Sequence, residues 1–351
     1  MSLLSFTAAD QHVRRAVSDL ADGRPVVVAD GCSGHGDLVV AAARATGTAI
    51  AFIVRHSSGF VCVAVDDETC TRLELAPMDH GGAGGSPYRV SVDGRGTGTG
   101  ISAAARAATI AALADPAAAP ADFVRPGHVI PLLAASGGVL SAPGRAEATV
   151  DLARLAGRPP AGALAEIVSS ARPDELASGT ELRDFAALHE LTIVTIDEIV
   201  EHRRGTEPQV RRVTTTALPT VHHAFRAFGY IGVHDAAEHV ALVAGDGTVR
   251  PGSPVHVHVE CLTGDVLRST LCGCRAALEE SLQRFGETGD GIVIYLRPSG
   301  PARACGLLRD AAETDRAAGH HIASWILRDL GLPVAAEPPV RTSPSAHRIG
   351  G

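Results

Sequence analysis

A chain of 351 residues with 45% hydrophobic and 20% charged side chains has the composition of an ordinary globular protein, long enough for two domains. A formal charge of −8 without any basic run argues against nucleic acid as a partner, and no run of about eighteen apolar residues offers a membrane span. All 31 basic residues are arginine, which excludes a lysine Schiff base or a lysine-dependent phosphate loop but leaves arginine to bind small anions.

The opening "MSLLSFTAADQHVRRAV" has no basic region ahead of its short apolar run, so no signal peptide is expected. Residues 9–22 read as an amphipathic helix that ends in "DGRP", followed by the apolar strand "VVVAD". The segments "AIAFIVR" and "GFVCVAV" read as two further strands. "HGGAGGSPY" reads as loop, "ISAAARAATIAALAD" as helix, and "TIVTIDEIVEHRRG" as a strand running into a closing helix. The charged, strand-poor run 201–212, "EHRRGTEPQVRR", is the expected domain boundary. Beyond it, "GYIGVHDAAEHVALVAGD" and "PVHVHVECLTGD" alternate in the manner of antiparallel strands. "CRAALEESLQRFGETGD" is a helix leading into the buried strand "GIVIYLR", and "GHHIASWILRDLGL" is a last amphipathic helix. The expected division is a first domain over 1–203, a linker over 204–212, a second domain over 213–335 and a disordered tail over 336–351. No internal repeat is found.

Seven unevenly spaced cysteines argue for a reducing cytoplasm and against a disulfide framework. Cys261, Cys272 and Cys274 stand at a C-x10-C-x-C spacing. Burial as small hydrophobes accounts for one such cysteine better than for the set. Two side chains at i and i+2, with a third from a preceding turn, can converge on a tetrahedral zinc ion. Three thiolates leave a fourth position open for water, the pattern of a catalytic site; a fourth protein ligand such as His258 would close it into a structural one.

At this point a resemblance emerges. "HVECLTGDVLRSTLCGC" resembles the zinc loop H-S-E-C-L-T-G-D…C-D-C of GTP cyclohydrolase II, and "TGDGIVIYLR" and "ILRDLG" resemble its later strand and helix. The N-terminal part resembles 3,4-dihydroxy-2-butanone 4-phosphate synthase through "VRHSSGFVCVAV", "RGTGTGISAAARAATI", "DFVRPGHVIPL", "GGVLSAPGRAEATVDLARLAG" and "ALAEIV". Together, over about residues 10–330, they have the layout of the bifunctional riboflavin biosynthesis family. The resemblance implies an α/β fold: an α+β synthase domain with a mixed sheet, then a shortened cyclohydrolase-like α/β domain. It further implies a homodimer with the synthase site at the dimer interface, a small phosphorylated substrate, Mg²⁺ for the first reaction and zinc for the second.

Departures from the family fall at both sites. Where the synthases carry D-R-E-N-E-G-D, this chain has "DGCSGHGD" over 30–37, with Ser33 in place of the metal-binding glutamate. In "GRAEA", Arg145 replaces the family's metal-binding histidine and Ala146 its threonine. A guanidinium has no lone pair for Mg²⁺ and repels it, so the Mg²⁺ site is expected to be lost. Cys32, His35 and Asp37 are the alternative donors in that loop. The retained positions are His128 and Glu166 as catalytic candidates, and Arg125, Arg106, Glu147 and Arg145 as substrate-binding candidates, with Arg55 beside them. Each also has a structural reading: Pro126 and Gly127 as a turn, His128 as a partner for a backbone carbonyl.

In the second half the family's nucleotide-contacting R-Q-E-G-R-G-I-G-L becomes "RPSGPARACGLL": Arg297 and Gly300 hold, while Pro298, Ser299 and Pro301 replace polar groups. "AETDRAAGHHIASW" gives Asp315 and Arg316 out of register with the family's D-x-R-D-Y, and the lysine-bearing T-N-N-P-x-K has no counterpart. Three functions follow: a riboflavin-pathway enzyme with compensating residues, a non-catalytic zinc-bearing relative, or an enzyme turned to another phosphosugar or heterocycle. The expectation is that conversion of ribulose 5-phosphate and opening of GTP are both lost or strongly impaired.

Overall fold

The computed structural model describes residues 8–78, 86–297, 302–305, 307 and 313–332. The chain divides into two compact units, Met1–Arg203 and Arg204–Gly351. The expected tail over 336–351, most of the loop "HGGAGGSPY" and the altered residues Pro298 to Pro301 lie outside the described residues.

The first unit runs α1 (Ala8–Ala21), β1 (Val26–Ala29), β2 (Gly36–Ala41), α2 (Gly47–His56), β3 (Cys62–Val65), α3 (Asp67–Arg72), β4 (Val92–Gly94) and α4 (Ala103–Leu113). It continues with β5 (Phe123–Leu133), α5 (Arg145–Leu155), β6 (Ala161–Glu166), α6 (Thr180–Leu188), β7 (Ile193–Thr195) and α7 (Ile196–Thr206). Its seven strands form one mixed sheet in the order β4-β5-β3-β6-β2-β1-β7. β1 pairs with β7 and β3 with β5 in parallel; the other neighbours are antiparallel. Alternation along each strand divides the core between the two faces. Val27, Leu38, Val40, Val63 and Ala163 pack on one face against Ile50 and Ile53 of α2, Ile110 of α4 and Leu182 of α6. Val26, Val28, Val39, Ala64 and Leu164 pack on the other face against Val13 and Leu20 of α1, Leu152 of α5 and Ile199 of α7. The result is a helix–sheet–helix sandwich.

One expectation changes here. "AIAFIVR" is not a strand but the body of α2. Its β-branched residues suggested a strand, but Thr46 caps the helix by accepting the Ala49 N–H at 3.1 Å, and Ile50 and Ile53 bury one helical face. Conversely, "GDLVVA", which carries no assignment from sequence, forms fully buried β2 inside the sheet, between β6 and β1.

The second unit runs β8 (Val210–Pro219), β9 (Ala224–Gly232), β10 (Glu238–Val243), β11 (Val255–Val259), a π-helical turn (Leu262–Val266), α8 (Cys274–Thr288), β12 (Ile292–Leu296) and α9 (Glu313–Asp329). Its sheet order is β11-β12-β10-β9-β8. Ala323, Ile326 and Leu327 of α9 cover one face of this sheet, and Phe285 of α8 the other.

The expected linker is two-thirds regular structure: α7 runs to Thr206 and β8 starts at Val210. The charges that made the run look strand-poor belong to an edge strand exposed along nearly its whole length, where Arg212 Nε donates to Asp329 Oδ2 at 2.7 Å. β11 is not part of an antiparallel meander. It pairs in parallel with β12, because α8 carries the chain back across the sheet between them. That crossover places the connection after β11 and the segment after β12 at the same, carboxyl, end of two adjacent strands.

Candidate functional site

In the first unit, strand pairing sets two carboxylates side by side: Asp37 of β2 and Glu166 of β6 are register partners. Like charges directly opposite in a sheet repel. Arg145, the first residue of α5, offsets this with Nη1 at 2.7 Å from Glu166 Oε1 and 3.6 Å from Asp37 Oδ1. Its Nη2 donates to the Tyr88 hydroxyl at 3.4 Å. Burial works against the Arg145 charge, but Asp37 and Glu166 outweigh it and hold the guanidinium above its usual range. Burial likewise pushes the Asp37 carboxyl up to about 7, with Arg145 pulling the other way. Burial is the larger effect, and Asp37 Oδ1 is buried without a hydrogen-bond partner.

This carboxyl gives a pH dependence with a defined sign. Below about pH 4 Asp37 is protonated folded and unfolded; above about 7 it is ionised in both, and the folded state then bears the cost of a buried charge. Its contribution therefore declines as pH rises between those values. The melting temperature of Asp37→Asn, minus that of wild type, should increase steadily from pH 4 to pH 8. A difference that is flat, or that falls with pH, contradicts the burial of this charge.

A second polar group surrounds the "RPGH" turn. His128 is held twice by Asp93: its N–H donates to Oδ1 at 2.9 Å, and its Nδ1 lies 2.7 Å from Oδ2. Gly127 is required there, since a Cβ would come within 2.1 Å of the Val92 carbonyl carbon. Arg106 is buried and donates to the Gly59 carbonyl at 3.3 Å, while its Nε has no partner. Burial lowers its pKa, with Asp93 opposing. Arg125 commits its guanidinium to the Leu73 and Pro120 carbonyls at 2.6 and 3.1 Å, and Glu147 accepts the Ala135 N–H at 2.7 Å. Arg55 lines a separate cleft with His56, Ser169 and Glu181. Of the candidates, the structure therefore joins Arg145 and Glu166 directly. It adds Asp37, which sequence reading considered only as a loop donor, and Asp93, which it did not single out.

The altered loop is a tight hairpin in which the Asp30 N–H donates to the His35 carbonyl at 2.9 Å. Ser33 is exposed, and its hydroxyl accepts the His35 N–H at 3.3 Å. Among the described residues, Cys32, His35 and Asp37 do not form a cluster able to hold an ion.

The second unit does hold such a cluster. Cys261 follows β11, Cys272 and Cys274 lie at the turn into α8, and a fourth cysteine, Cys305, arrives from the segment after β12. All four Sγ atoms lie within 4.8 Å of one another, with Cys261 and Cys272 at 4.0 Å and Cys274 and Cys305 at 3.9 Å. A tetrahedron of Zn–S bonds of about 2.3 Å needs sulfurs about 3.8 Å apart, so the donor set fits zinc. Gly264 lies against the cluster, where a Cβ would sit 3.0 Å from Cys272 Sγ.

Burial raises the Cys261 thiol, but the Thr263 hydroxyl and the Cys305 and Gly264 N–H groups outweigh it and bring Cys261 down to about 6. Burial, foremost, pushes Cys274 and Cys305 up. Burial also disfavours the Arg303 charge, yet Cys305, Cys274 and Cys261 beside it hold it above its usual range.

His258 stands outside the sulfur cluster. Its Nε2 lies 2.9 Å from Asp265 Oδ2, which also accepts the Cys261 N–H at 2.8 Å and the Tyr295 hydroxyl at 3.1 Å. Sequence spacing missed Cys305 because it is 31 residues from Cys274. The available signal was a cysteine inside the family's altered "RPSGPARACGLL" run.

Comparison with known proteins accounts for both units. The profile of 3,4-dihydroxy-2-butanone 4-phosphate synthase matches residues 14–202, and that of GTP cyclohydrolase II matches residues 211–333. The riboflavin biosynthesis protein RibBA of Salinispora arenicola is 44% identical over 324 residues, which cover 91% of this chain and 74% of the relative. The RibBA protein of Mycobacterium tuberculosis is 44% identical over 332 residues, with the same coverage. The crystal structure of RibBX, a two-domain 3,4-dihydroxy-2-butanone 4-phosphate synthase from A. baumannii, superposes with a TM-score of 0.70 at 31% identity, covering 94% of each chain. A 3,4-dihydroxy-2-butanone 4-phosphate synthase solved with two magnesium ions superposes at 0.53 with 38% identity over 56% of this chain and 97% of that one. Two units, two matching profiles in the same order and relatives aligned across nearly the whole length place this chain in the bifunctional riboflavin biosynthesis family, 3,4-dihydroxy-2-butanone 4-phosphate synthase joined to GTP cyclohydrolase II.

Proposed function

We propose that this chain is a diverged family member whose first unit binds small phosphorylated sugars without the Mg²⁺-dependent conversion, and whose second unit binds zinc without opening GTP. The observation that carries the reading is the Arg145 guanidinium, 2.7 Å from Glu166 and 3.6 Å from Asp37, at the position of the family's metal-binding histidine. A fixed cation on these carboxylates competes with Mg²⁺ for the same negative charge and cannot ligate it. Ser33 offers one neutral oxygen where the family has a carboxylate. Arg145, and the buried Arg106 with its unpartnered Nε, remain suited to anionic phosphate. His128 and Glu166 are retained but have no bound Mg²⁺ to work with, and a homodimer is proposed by family.

For the second unit, zinc on Cys261, Cys272 and Cys274 would supply Lewis acidity in an intact relative. Here Pro298, Ser299 and Pro301 stand where the family's polar nucleotide contacts are. Each lost group that acts only in a transition state costs about a hundredfold to a thousandfold in rate.

A second reading, a working synthase with a non-hydrolysing second domain, is favoured by the full-length match to RibBX, a two-domain synthase. One set of assays separates the two. Wild-type protein should bind ribulose 5-phosphate by calorimetry, release formate no faster with Mg²⁺ than without, and leave GTP intact. Mg²⁺-dependent formate release at the rate of intact relatives would establish the second reading. GTP turnover that disappears in Cys272→Ala would overturn the proposal for the second unit.

A further inference from the structure

From the placement of Cys305 we infer that the metal site of the second unit is a closed four-cysteine site, with Cys305 as its fourth ligand. This rests on the proposal that a metal binds here and goes beyond it by assigning the position that three cysteines leave open. The geometry is specific. Cys305 Sγ is 3.9 Å from Cys274 Sγ, near the about 3.8 Å edge of a zinc–sulfur tetrahedron, and all four sulfurs lie within 4.8 Å of one another.

Cys305 is also set in place by its backbone, so its position does not depend on the thiol alone. The Thr263 hydroxyl donates to the Cys305 carbonyl at 3.0 Å, and the Leu262 N–H donates to the Arg303 carbonyl at 2.8 Å. These bonds dock residues 303–305 onto the π-helical turn that follows Cys261. Cys261, Cys274 and Cys305 are buried, and the Gly264 N–H donates to Cys261 Sγ at 3.4 Å, which fixes that sulfur's orientation. Four thiolates on a divalent ion leave a net charge of about −2, and Arg303 beside them offsets part of it.

Two consequences follow. A zinc ion with four sulfur ligands has no position for a substrate or solvent oxygen, so this site is structural. The segment that in intact relatives runs along the nucleotide is here drawn onto the ion by one of its own residues. Loss of the polar nucleotide contacts and gain of a ligand then belong to one change in the same run of chain.

X-ray absorption at the zinc edge counts the ligands directly in the full chain loaded with one zinc. Wild type is expected to show four sulfurs at about 2.3 Å, and Cys305→Ser three sulfurs with one lighter atom nearer about 2.0–2.2 Å. Competition with a chelator should show zinc affinity reduced in Cys305→Ser by at least about a hundredfold, the upper end of what losing an outer-shell partner costs. Three sulfurs and one light atom in wild type, unchanged in Cys305→Ser, would overturn the inference while leaving zinc binding intact. Wild-type protein that takes up no zinc would overturn the zinc reading itself. The wild-type spectrum decides the matter even if the variant fails to fold.

Discussion

Removing the metal from the second unit is expected to lower that unit's unfolding temperature by more than about 10 °C and leave the first unit's transition in place. A ligand present at about a hundred times its dissociation constant stabilises the folded state by about 3 kcal/mol, and structural zinc binds far more tightly than that ratio assumes. The ion would tie together three pieces of chain, the end of β11, the start of α8 and the segment after β12, the last held otherwise to the turn after Cys261 by the Thr263 and Leu262 hydrogen bonds. Packed side chains cannot replace it, because the cluster consists of the cysteines themselves, apart from the apolar layers under α8 and α9. Without the ion, burial disfavours charge on Cys274 and Cys305. The sheet has its own core, so chelation should loosen residues 260–274 and 302–305 first, seen as faster amide exchange there than in β10 or β12. Calorimetry with and without chelator tests this. An unmoved second transition in protein known to have held one zinc would show that the ion bears no structural load.

The family and the order of the two units were legible because local motifs carry them. "HVECLTGD" and "RPGH" are short, contiguous and chemically constrained, as the tight fit of Gly127 against the backbone of Val92 and Asp93 shows. What the sequence hid is what depends on contacts distant along the chain. Asp93 lies 35 residues from His128, and Cys305 lies 31 from Cys274; neither pairing leaves a periodic trace. Secondary structure failed where propensity and packing disagreed. "AIAFIVR" has the β-branched content of a strand, yet a threonine cap and a one-sided apolar stripe make it a helix. The direction of β11 failed for a related reason: alternation gives a strand its faces and says nothing of its partner's direction, which the α8 crossover decides.

Ser33→Glu combined with Arg145→His is expected to raise Mg²⁺-dependent formate release from ribulose 5-phosphate about a hundredfold above wild-type background, the scale of one well-placed electrostatic group. Asp37 and Glu166 face each other across β2 and β6, and a cation between them relieves their repulsion. In wild type that cation is covalently part of the chain, as the Arg145 guanidinium. Exchanging it for imidazole removes the charge and supplies a neutral nitrogen able to hold a divalent ion; glutamate at position 33 adds the second family ligand. The double variant should therefore be less stable than wild type without Mg²⁺ and regain stability with it, while wild type ignores the ion. Thermal melts with and without Mg²⁺ read this independently of any turnover. If wild type itself melts higher with Mg²⁺ and releases formate, Arg145 does not occupy the cation's place and this account of the first unit fails. If the double variant binds Mg²⁺ without reacting, the exposed Ser33 hairpin is too far from its family geometry for the chemistry. Divergence would then have altered the backbone of the 30–37 loop as well as two of its side chains. Formate release by the variant alone would instead show that His128, fixed twice by Asp93, still stands where the reaction needs it.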